Sequence, residues 1–264
     1  DWNKRVIKGY TFDNKRWVTN TYPFPDIVYN RILNREFEEK RAIKLLLQRF
    51  ENDEKIYLFN SRFLDKWETH KVLNSCWEGQ QLIPETVLFN RRNLTNFTAK
   101  YKEIFLKPRD GYRGKGVMKI KHPAQNDYQY ACAGSTSIKW KKCSSADLLY
   151  RHISKLIGSE KGYLLQQAIE LAKYNGKVFD LRVQVQKNRH GIWIMTGAAA
   201  RVAEKGRFVT HISNGGKAES YENVINDFSG NCEGVKPELE KQLRHISTIV
   251  PWLLEKELDL ALGI

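Results

Sequence analysis

A lysine followed by closely spaced glycines is the feature of this sequence best suited to chemistry. Lys107 ends an apolar run, and Gly111, Gly114 and Gly116 follow before strand-like alternation resumes. Because glycine has no Cβ and tolerates positive φ, such a turn can bring consecutive backbone N–H groups close to an anion, and Lys107 adds a positive charge. The pattern predicts a loop that binds phosphate groups. A hairpin turn with incidental glycines is the alternative, since a lone glycine pattern is weak.

Three familiar phosphate-binding loops do not fit this stretch. A Walker loop continues from Gly-Lys-Ser/Thr into a helix, whereas Lys115 is followed by Gly116 and a predicted strand. In protein kinases the lysine lies on a strand after the glycine loop, and here it precedes the loop. A Rossmann turn requires a helix after the glycines, and none is predicted. What is left is a glycine loop between two strands.

A second group of polar residues lies on two later segments. In "VFDLRVQVQ" the alternation is strict, which places Asp180 and Arg182 on one face of a strand and apolar residues on the other. Arg201 follows three alanines, and a long charged side chain after small residues suggests a cleft. These patterns predict a polar functional face. An ion pair between Asp180 and Arg182 across the strand surface is the structural alternative.

Metal ligands are not evident in the sequence. The six histidines show no metal-binding spacing beside the cysteines, and the cysteines form no C-x-x-C pair: Cys76, Cys132, Cys143 and Cys232. A zinc site is therefore not predicted. Three carboxylates near the end of the chain belong to a predicted helix whose other face is apolar, so they are not predicted as ligands: Glu255, Glu257 and Asp259.

Several blocks together resemble the ATP-grasp superfamily and, more closely, the YheC/YheD-type ATP-grasp proteins associated with the endospore coat. The blocks are "PFPDIVYNR", "FLDKWETHKVLNSCWEGQQLIPETVLF", "IFLKPRDGYRGKGVMKI", "YLLQQAI", "FDLRVQV", "GAAARVA" and "THISNGGKAE". The resemblance covers nearly the whole chain. It implies an α+β fold in which two α+β subdomains hold a nucleotide between them, with a remnant of an N-terminal pre-ATP-grasp domain.

The resemblance also implies roles for individual residues. Two lysines match those that contact the nucleotide phosphates, the glycine loop matches the one that closes over them, and the segment 167–169 matches the hinge whose backbone reads adenine. Glu170 matches a ribose contact, and His211 stands where typical members have asparagine. The implied catalytic residues are Arg201 and Lys107. The implied nucleotide-binding residues are Lys66, Lys107, Gly111, Gly114, Gly116, Gln167, Ala168, Ile169, Glu170, Asp180, Arg182 and Asn214.

The activity implied by the resemblance is that of an ADP-forming carboxylate–amine ligase acting through an acyl phosphate. It requires ATP and Mg²⁺, and the metal ligands are expected beyond Ile264, so the second subdomain is expected to be truncated. The carboxylate and the amine are unknown, and a peptide or protein is a candidate substrate. Two alternatives stay open: a non-catalytic nucleotide-binding or coat-assembly protein, and a basic nucleic-acid-binding protein, ranked last, which a net charge of +14 suggests.

The elements that must position these residues alternate between hairpins and helices, which predicts α+β layers. We expect two strands around a turn at Asp13 and Asn14, and helices over 36–50, 66–76, 145–158 and 237–258. The expected divisions are an N-terminal region 1–60, a small subdomain 61–165 with the glycine loop, and a large subdomain 166–264. No apolar stretch reaches the roughly 18 residues of a spanning helix, so we expect a cytoplasmic protein without a membrane partner. The resemblance adds association with the spore coat.

Overall fold

A computed structural model describes residues 1–134, 138–230 and 234–263 of the chain, so Cys232 and Ile264 lie outside the described residues. The chain forms two compact units. The first consists of residues 1–63 together with 259–263, and the second runs from Leu64 to Leu258. None of the described helices is long and apolar enough to cross a membrane.

The first unit is built from short strands and two helices around a small aromatic core. Asn14 and Lys15 both have positive φ and form the turn of its hairpin. Phe50, Ile56 and Leu58 are buried at its centre. The helix expected over 36–50 is interrupted, because Lys40 is extended with ψ 132°. Its elements are β1 (Val6–Asp13), β2 (Arg16–Pro23), β3 (Ile27–Tyr29), α1 (Arg35–Glu38), α2 (Arg41–Glu51) and β4 (Tyr57–Phe59), with β3 parallel to β4.

The second unit begins with a six-stranded antiparallel sheet covered by helices. Its apolar face and the helices α5 and α6 enclose a core that includes Leu94, Leu106 and Leu149, all fully buried. The strand order is β5-β10-β6-β7-β8-β9. The elements are α3 (Lys66–Asn74), α4 (Trp77–Gln80), β5 (Thr86–Leu88), α5 (Arg91–Lys100), β6 (Glu103–Pro108), β7 (Met118–Ala124), β8 (Asp127–Cys132), β9 (Lys141–Cys143), α6 (Ala146–Ile157) and β10 (Tyr163–Gln167).

A second sheet of four strands completes this unit. Its order is β11-β12-β13-β14, and helices α7 and α8 pack on one face through Val224, Ile225, Leu239 and Leu243. The register shifts between Gln184 and Val185, where the strict alternation of β12 is interrupted. The elements are β11 (Lys173–Tyr174), β12 (Lys177–Lys187), β13 (Trp193–Val202), β14 (Lys217–Ser220), α7 (Tyr221–Ser229) and α8 (Val235–Leu258).

The two sheets and their helices confirm the α+β class, but α4, α5 and α7 were not expected from the sequence. Helix α5 buries Leu94, Phe97 and Thr98, an apolar stripe too short to show helical periodicity. Helix α7 lies in a segment for which the sequence predicted no element. The expected subdomain boundary after residue 165 falls inside β10, because this strand pairs with β6 as far as Gln167.

Candidate functional site

Lys107 projects from the polar face of the six-stranded sheet. In β6 the side chains of Ile104 and Leu106 enter the core, so Lys107 and Phe105 point to the other side. The Lys107 ammonium donates a hydrogen bond to Oε1 of Gln166, and it forms no ion pair with a carboxylate of the described residues. Burial lowers the pKa of Lys107 below its ordinary value. Lys107 is therefore a desolvated cation with a neutral partner.

Gln166 and Thr86 extend this contact across the sheet and were missed by the sequence reasoning. Nε2 of Gln166 donates to Oγ1 of Thr86 at 2.9 Å, which fixes the amide with its oxygen toward Lys107. The sequence contained a signal for Gln166, because this residue follows the apolar Leu165 in a predicted strand and must face the opposite side of the sheet. A cavity of about 330 Å³ adjoins Thr86 and is also lined by His70 and Glu85.

Lys66 is held by the start of the glycine loop. It begins helix α3, whose N-cap Asp65 accepts from the N–H groups of Trp67 and Glu68. The Lys66 ammonium donates to the carbonyl oxygens of Pro108 at 3.0 Å and Arg109 at 3.3 Å, and also to that of Gly111. The family resemblance implied a phosphate contact for Lys66. The structure shows it bracing the loop, so a direct contact with a ligand stays a prediction.

The glycine loop needs glycine for geometric reasons. Gly114 and Gly116 both have φ of +71°, a region that other residues adopt at a cost. Gly111 has ordinary φ, but a Cβ there would lie 2.2 Å from Cγ of Pro108. The loop also contacts the segment after β13, because Nδ2 of Asn214 donates to the Arg113 carbonyl at 3.0 Å. Asn214 is thereby brought to the loop, and its contact with a nucleotide stays a prediction.

Arg201 and Asp180 form a two-bond pair on neighbouring strands β12 and β13. Nε and Nη2 of Arg201 donate to the two carboxylate oxygens of Asp180, each at 2.7 Å. Oγ1 of Thr210 donates to the same carboxylate at 2.7 Å, and Nη1 of Arg201 lies 3.4 Å from Nδ1 of His211. The alternative ion pair between Asp180 and Arg182 does not form. Arg182 shares the polar face but is exposed.

His211 completes this cluster as a neutral ring near neutral pH. Burial, followed by the positive charge of Arg201, lowers the pKa of His211, and Asp180 opposes them. A neutral imidazole beside Arg201 adds no further positive charge. No role was predicted for Thr210, and only the folded chain brings Thr210 to Asp180 and His211 to Arg201.

The hinge residues lie where β10 leaves the first sheet. The N–H groups of Gln167 and Ala168 donate to the carbonyls of Glu85 at 2.9 Å and Glu103 at 3.3 Å. These two N–H groups are thus engaged within the fold. Ile169 and Glu170 follow with exposed side chains. The adenine and ribose contacts expected of 167–170 stay predictions.

The described part of the chain contains no evident magnesium site. No group of three or more His, Cys, Asp or Glu side chains there could hold a metal ion. Glu255 instead bonds Lys187 at 2.6 Å and the indole N–H of Trp193 at 2.9 Å. The described residues therefore do not fit the expected ion.

Comparison with known proteins agrees with this architecture. A family model for YheC/D-like ATP-grasp proteins matches residues 55–264. The chain belongs to this ATP-grasp family. The ATP-grasp fold class predicted from the sequence is therefore confirmed, and so is the resemblance to YheC and YheD.

Two relatives from Bacillus subtilis (strain 168) match most of this chain over only part of their own length. Endospore coat-associated protein YheD is 27% identical over 248 residues, covering 89% of this chain and 52% of YheD. Endospore coat-associated protein YheC is 24% identical over 254 residues, covering 94% of this chain and 67% of YheC. This ATP-grasp chain thus spans about half the length of YheD.

A solved structure is more distantly similar. D-alanyl-alanine synthetase A from Vibrio cholerae matches 97% of this chain and 66% of its own, with 13% identity and a TM-score of 0.41. No residue role is transferred from it.

Proposed function

We propose that this chain is the nucleotide-binding part of an ADP-forming ligase that joins a carboxylate to an amine. The observation that best supports the proposal is Lys107, a desolvated ammonium held by a neutral amide at the base of a glycine loop. A buried cation without a carboxylate partner is costly unless an anion binds it. The phosphates of ATP meet that requirement, and the family match gives ATP precedence over other anions.

With ATP bound, the γ-phosphoryl group passes to a carboxylate oxygen, which gives an acyl phosphate and ADP. Attack of an amine on the acyl carbon then releases phosphate, loses a proton and forms an amide. Positioning and electrostatic stabilisation supply most of the rate in phosphoryl transfer. The residues of this chain would supply both.

Each residue of the site has a distinct task under this proposal. Lys107 binds phosphate oxygens, and the N–H groups of 111–116 lie over them. Lys66 holds the start of that loop through its three carbonyl contacts. Arg201 stabilises the transferring group, and Asp180 is a positioning residue that fixes the guanidinium plane through two hydrogen bonds.

A structural role in the endospore coat is the second candidate. Both Bacillus subtilis relatives bear names that associate them with the coat, and coat association of this chain is proposed on the same ground. Nucleotide binding distinguishes the candidates in part, because a purely structural protein needs no ATP. ADP release that depends on both an added carboxylate and an added amine would identify the ligase.

The first experiment measures thermal unfolding with and without ATP and magnesium. A ligand at about 100 times its Kd stabilises a protein by about 2.7 kcal/mol. We expect a clear shift for the wild type and none for Lys107→Met, which keeps the aliphatic stem and loses the charge. Lys102→Met is the matched control, since Lys102 is exposed and loses the same charge. An unchanged shift in Lys107→Met contradicts the proposed site.

A further inference from the structure

The hairpin of β1 and β2 leaves one of its two faces uncovered. Side chains alternate along a strand, so Phe12 and the opposite Trp17 share a face with Tyr10, two residues before Phe12. Phe12 is 59%, Trp17 70% and Tyr10 71% exposed. The other face is partly covered, since Val18 and Tyr22 on that face are half-buried. We call the face of Tyr10, Phe12 and Trp17 the aromatic face.

The three rings of the aromatic face occupy neighbouring positions. The ring centroids of Phe12 and Trp17 lie 5.3 Å apart. Tyr10 and Phe12 are separated by about 6.8 Å along β1, because a strand rises about 3.4 Å per residue. Single exposed apolar side chains are common on protein surfaces, whereas a contiguous group of them marks an interaction site. The aromatic face is therefore a candidate binding surface.

The charges of the hairpin indicate the chemistry of the partner. Lys8 lies on the aromatic face opposite Thr21, and the eight residues that share this face include no Asp or Glu. Lys15 and Arg16 are exposed at the turn. Asp13 is the one acidic residue of 6–23. A polyanion that also presents flat apolar groups is complementary to such a surface.

Single-stranded nucleic acid has both properties. Its phosphates carry negative charge, and its bases present flat faces that stack on aromatic side chains. The separation of about 6.8 Å between Tyr10 and Phe12 is about twice the 3.4 Å between stacked bases, which is the space that one base needs between two rings. A duplex fits less well, because its bases already stack on one another. A neutral polysaccharide stacks on aromatic rings but makes no use of the cations.

We propose that the aromatic face of the β1–β2 hairpin binds single-stranded nucleic acid. Bases stack on Tyr10, Phe12 and Trp17, and the phosphates lie near Lys8 and Lys15. Stacking suits every base, so the contact tolerates different sequences. Binding there involves residues of the first unit alone and requires neither ATP nor ligase activity.

The test measures the fluorescence anisotropy of a labelled oligothymidine, about 12 nucleotides long, with the whole chain at about 50 mM salt. We expect Phe12→Ala and Trp17→Ala each to weaken binding about tenfold or more, because each removes one stacking partner. Trp77→Ala is the matched control, since Trp77 is 72% exposed on α4 of the second unit. This variant should bind like the wild type.

The contribution of charge has a measurement of its own. A cation that contacts a phosphate of a single strand adds about 0.7 to the slope of log affinity against log salt concentration. We expect Lys8→Gln to weaken binding and to reduce the magnitude of this slope by about 0.7. Lys102→Gln, at an exposed lysine of the second unit, should leave the slope unchanged.

Each contrary result overturns the proposal. No binding at low salt removes the site, and equal losses in Trp17→Ala and Trp77→Ala place the contact elsewhere. Equal affinity for a duplex of the same length shows attraction by charge without stacking. Tighter binding of a neutral chito-oligosaccharide identifies the aromatic face as a sugar-binding surface.

A second copy of the chain is the other occupant that the experiment distinguishes. Sedimentation that shows a dimer for the wild type and a monomer for Trp17→Ala, with or without the oligonucleotide, overturns the proposal in favour of self-association. Thermal unfolding of each variant confirms that the comparison is between folded proteins. If an aromatic variant unfolds, the salt slope of Lys8→Gln still decides the result.

Discussion

At the scale of residues, the site depends on how each charge is partnered. Arg201 is 21% and Asp180 is 32% exposed, and two hydrogen bonds of 2.7 Å join them. Lys107, by contrast, has the amide of Gln166 and no carboxylate of the described residues. A carboxylate partner neutralises a cation and fixes its orientation. A cation whose partner is neutral keeps its full charge for binding an anion. This difference separates Arg201, which a carboxylate orients, from Lys107, which is available to bind an anion.

Asp180→Asn should destabilise the fold more than an equivalent change at the surface. Arg201 would lose its carboxylate, and we expect the free energy of unfolding to fall by about 1–3 kcal/mol. Asp147→Asn is the matched control, because Arg91 makes the same two-bond contact with Asp147 where the side chains are 65% and 48% exposed. Because both side chains of that pair are exposed, its loss should cost much less. Urea unfolding of both variants checks this, and equal losses would contradict it.

His211 should make stability depend on pH. Its pKa is lowered in the folded chain, so the unfolded chain binds the proton more readily. Stability is complete above the ordinary value of about 6.5 and falls as the pH drops through that value toward the folded pKa. Urea midpoints measured from about pH 8 to about pH 5 should therefore decline on the acid side.

The variant His211→Asn tests the assignment, because asparagine does not titrate. Its acid-side decline should be smaller than that of the wild type. His70 also has a pKa lowered by burial, so part of the decline in stability should remain in His211→Asn. The decline should be smaller still in a variant that carries both His211→Asn and His70→Asn. An undiminished decline in His211→Asn would assign the effect to other groups.

Among the elements, the loop between β6 and β7 is held at its first end and at its middle. Lys66 holds its first carbonyls, and Ser213 and Asn214 donate to the Arg113 carbonyl at 3.2 Å and 3.0 Å. Gly114 lies at the closest approach, where a Cβ would be 2.6 Å from Nδ2 of Asn214. The two glycines with φ of +71° let the chain turn within this space.

Gly114→Ala should destabilise the loop through its backbone and its contact with Asn214. A left-handed conformation costs an alanine about 1–2 kcal/mol, and the clash adds to this cost. We expect weaker ATP binding and a lower unfolding temperature. Gly162→Ala is the control, since a Cβ there meets nothing within 4 Å and φ is not positive. If both variants behave alike in calorimetry and thermal unfolding, the geometric argument fails.

At the scale of the whole molecule, the end of the chain belongs to the first unit. After α8 the residues 259–263 join residues 1–63. The Asn60 N–H donates to the Ala261 carbonyl at 2.8 Å, and Oδ1 of Asn60 accepts from the Gly263 N–H at 2.9 Å. The first unit is thus completed by residues nearly the full chain length away.

Asn60→Ala should loosen the first unit. The change removes the side-chain bonds to Gly263 and leaves alanine at φ 54°, for a cost of about 1–2 kcal/mol from each effect. Hydrogen exchange should accelerate in β3 and β4 and stay unchanged in the six-stranded sheet. Asn223→Ala, at an exposed asparagine of the second unit, should leave β3 and β4 unaffected. Uniform acceleration over both units would contradict this division.

Much of the fold was predictable because its signals are local. The alternation in β6 and β12, the hairpin turn at Asn14 and the capped helix α6 each arise from neighbouring residues. Helices α5 and α7 were not predicted because their apolar stripes are too short to show a helical period. Their burial becomes visible only where they pack on the sheets. In the candidate site, spacing alone predicted Lys107 and the glycine loop, whereas it did not predict the contacts of Gln166, Thr86 and Thr210.

Local patterns in the sequence predict the α+β class, the polar face of β12 and a lysine joined to a glycine loop, because periodicity and glycine content act within a few residues. The choice of partners follows from the folded chain. Lys107 donates a hydrogen bond to Gln166, and Lys66 donates to the loop carbonyls. Asp180 pairs with Arg201 and not with Arg182. These contacts join segments far apart in the chain, and strand register and packing, which no local pattern records, determine which charges become neighbours.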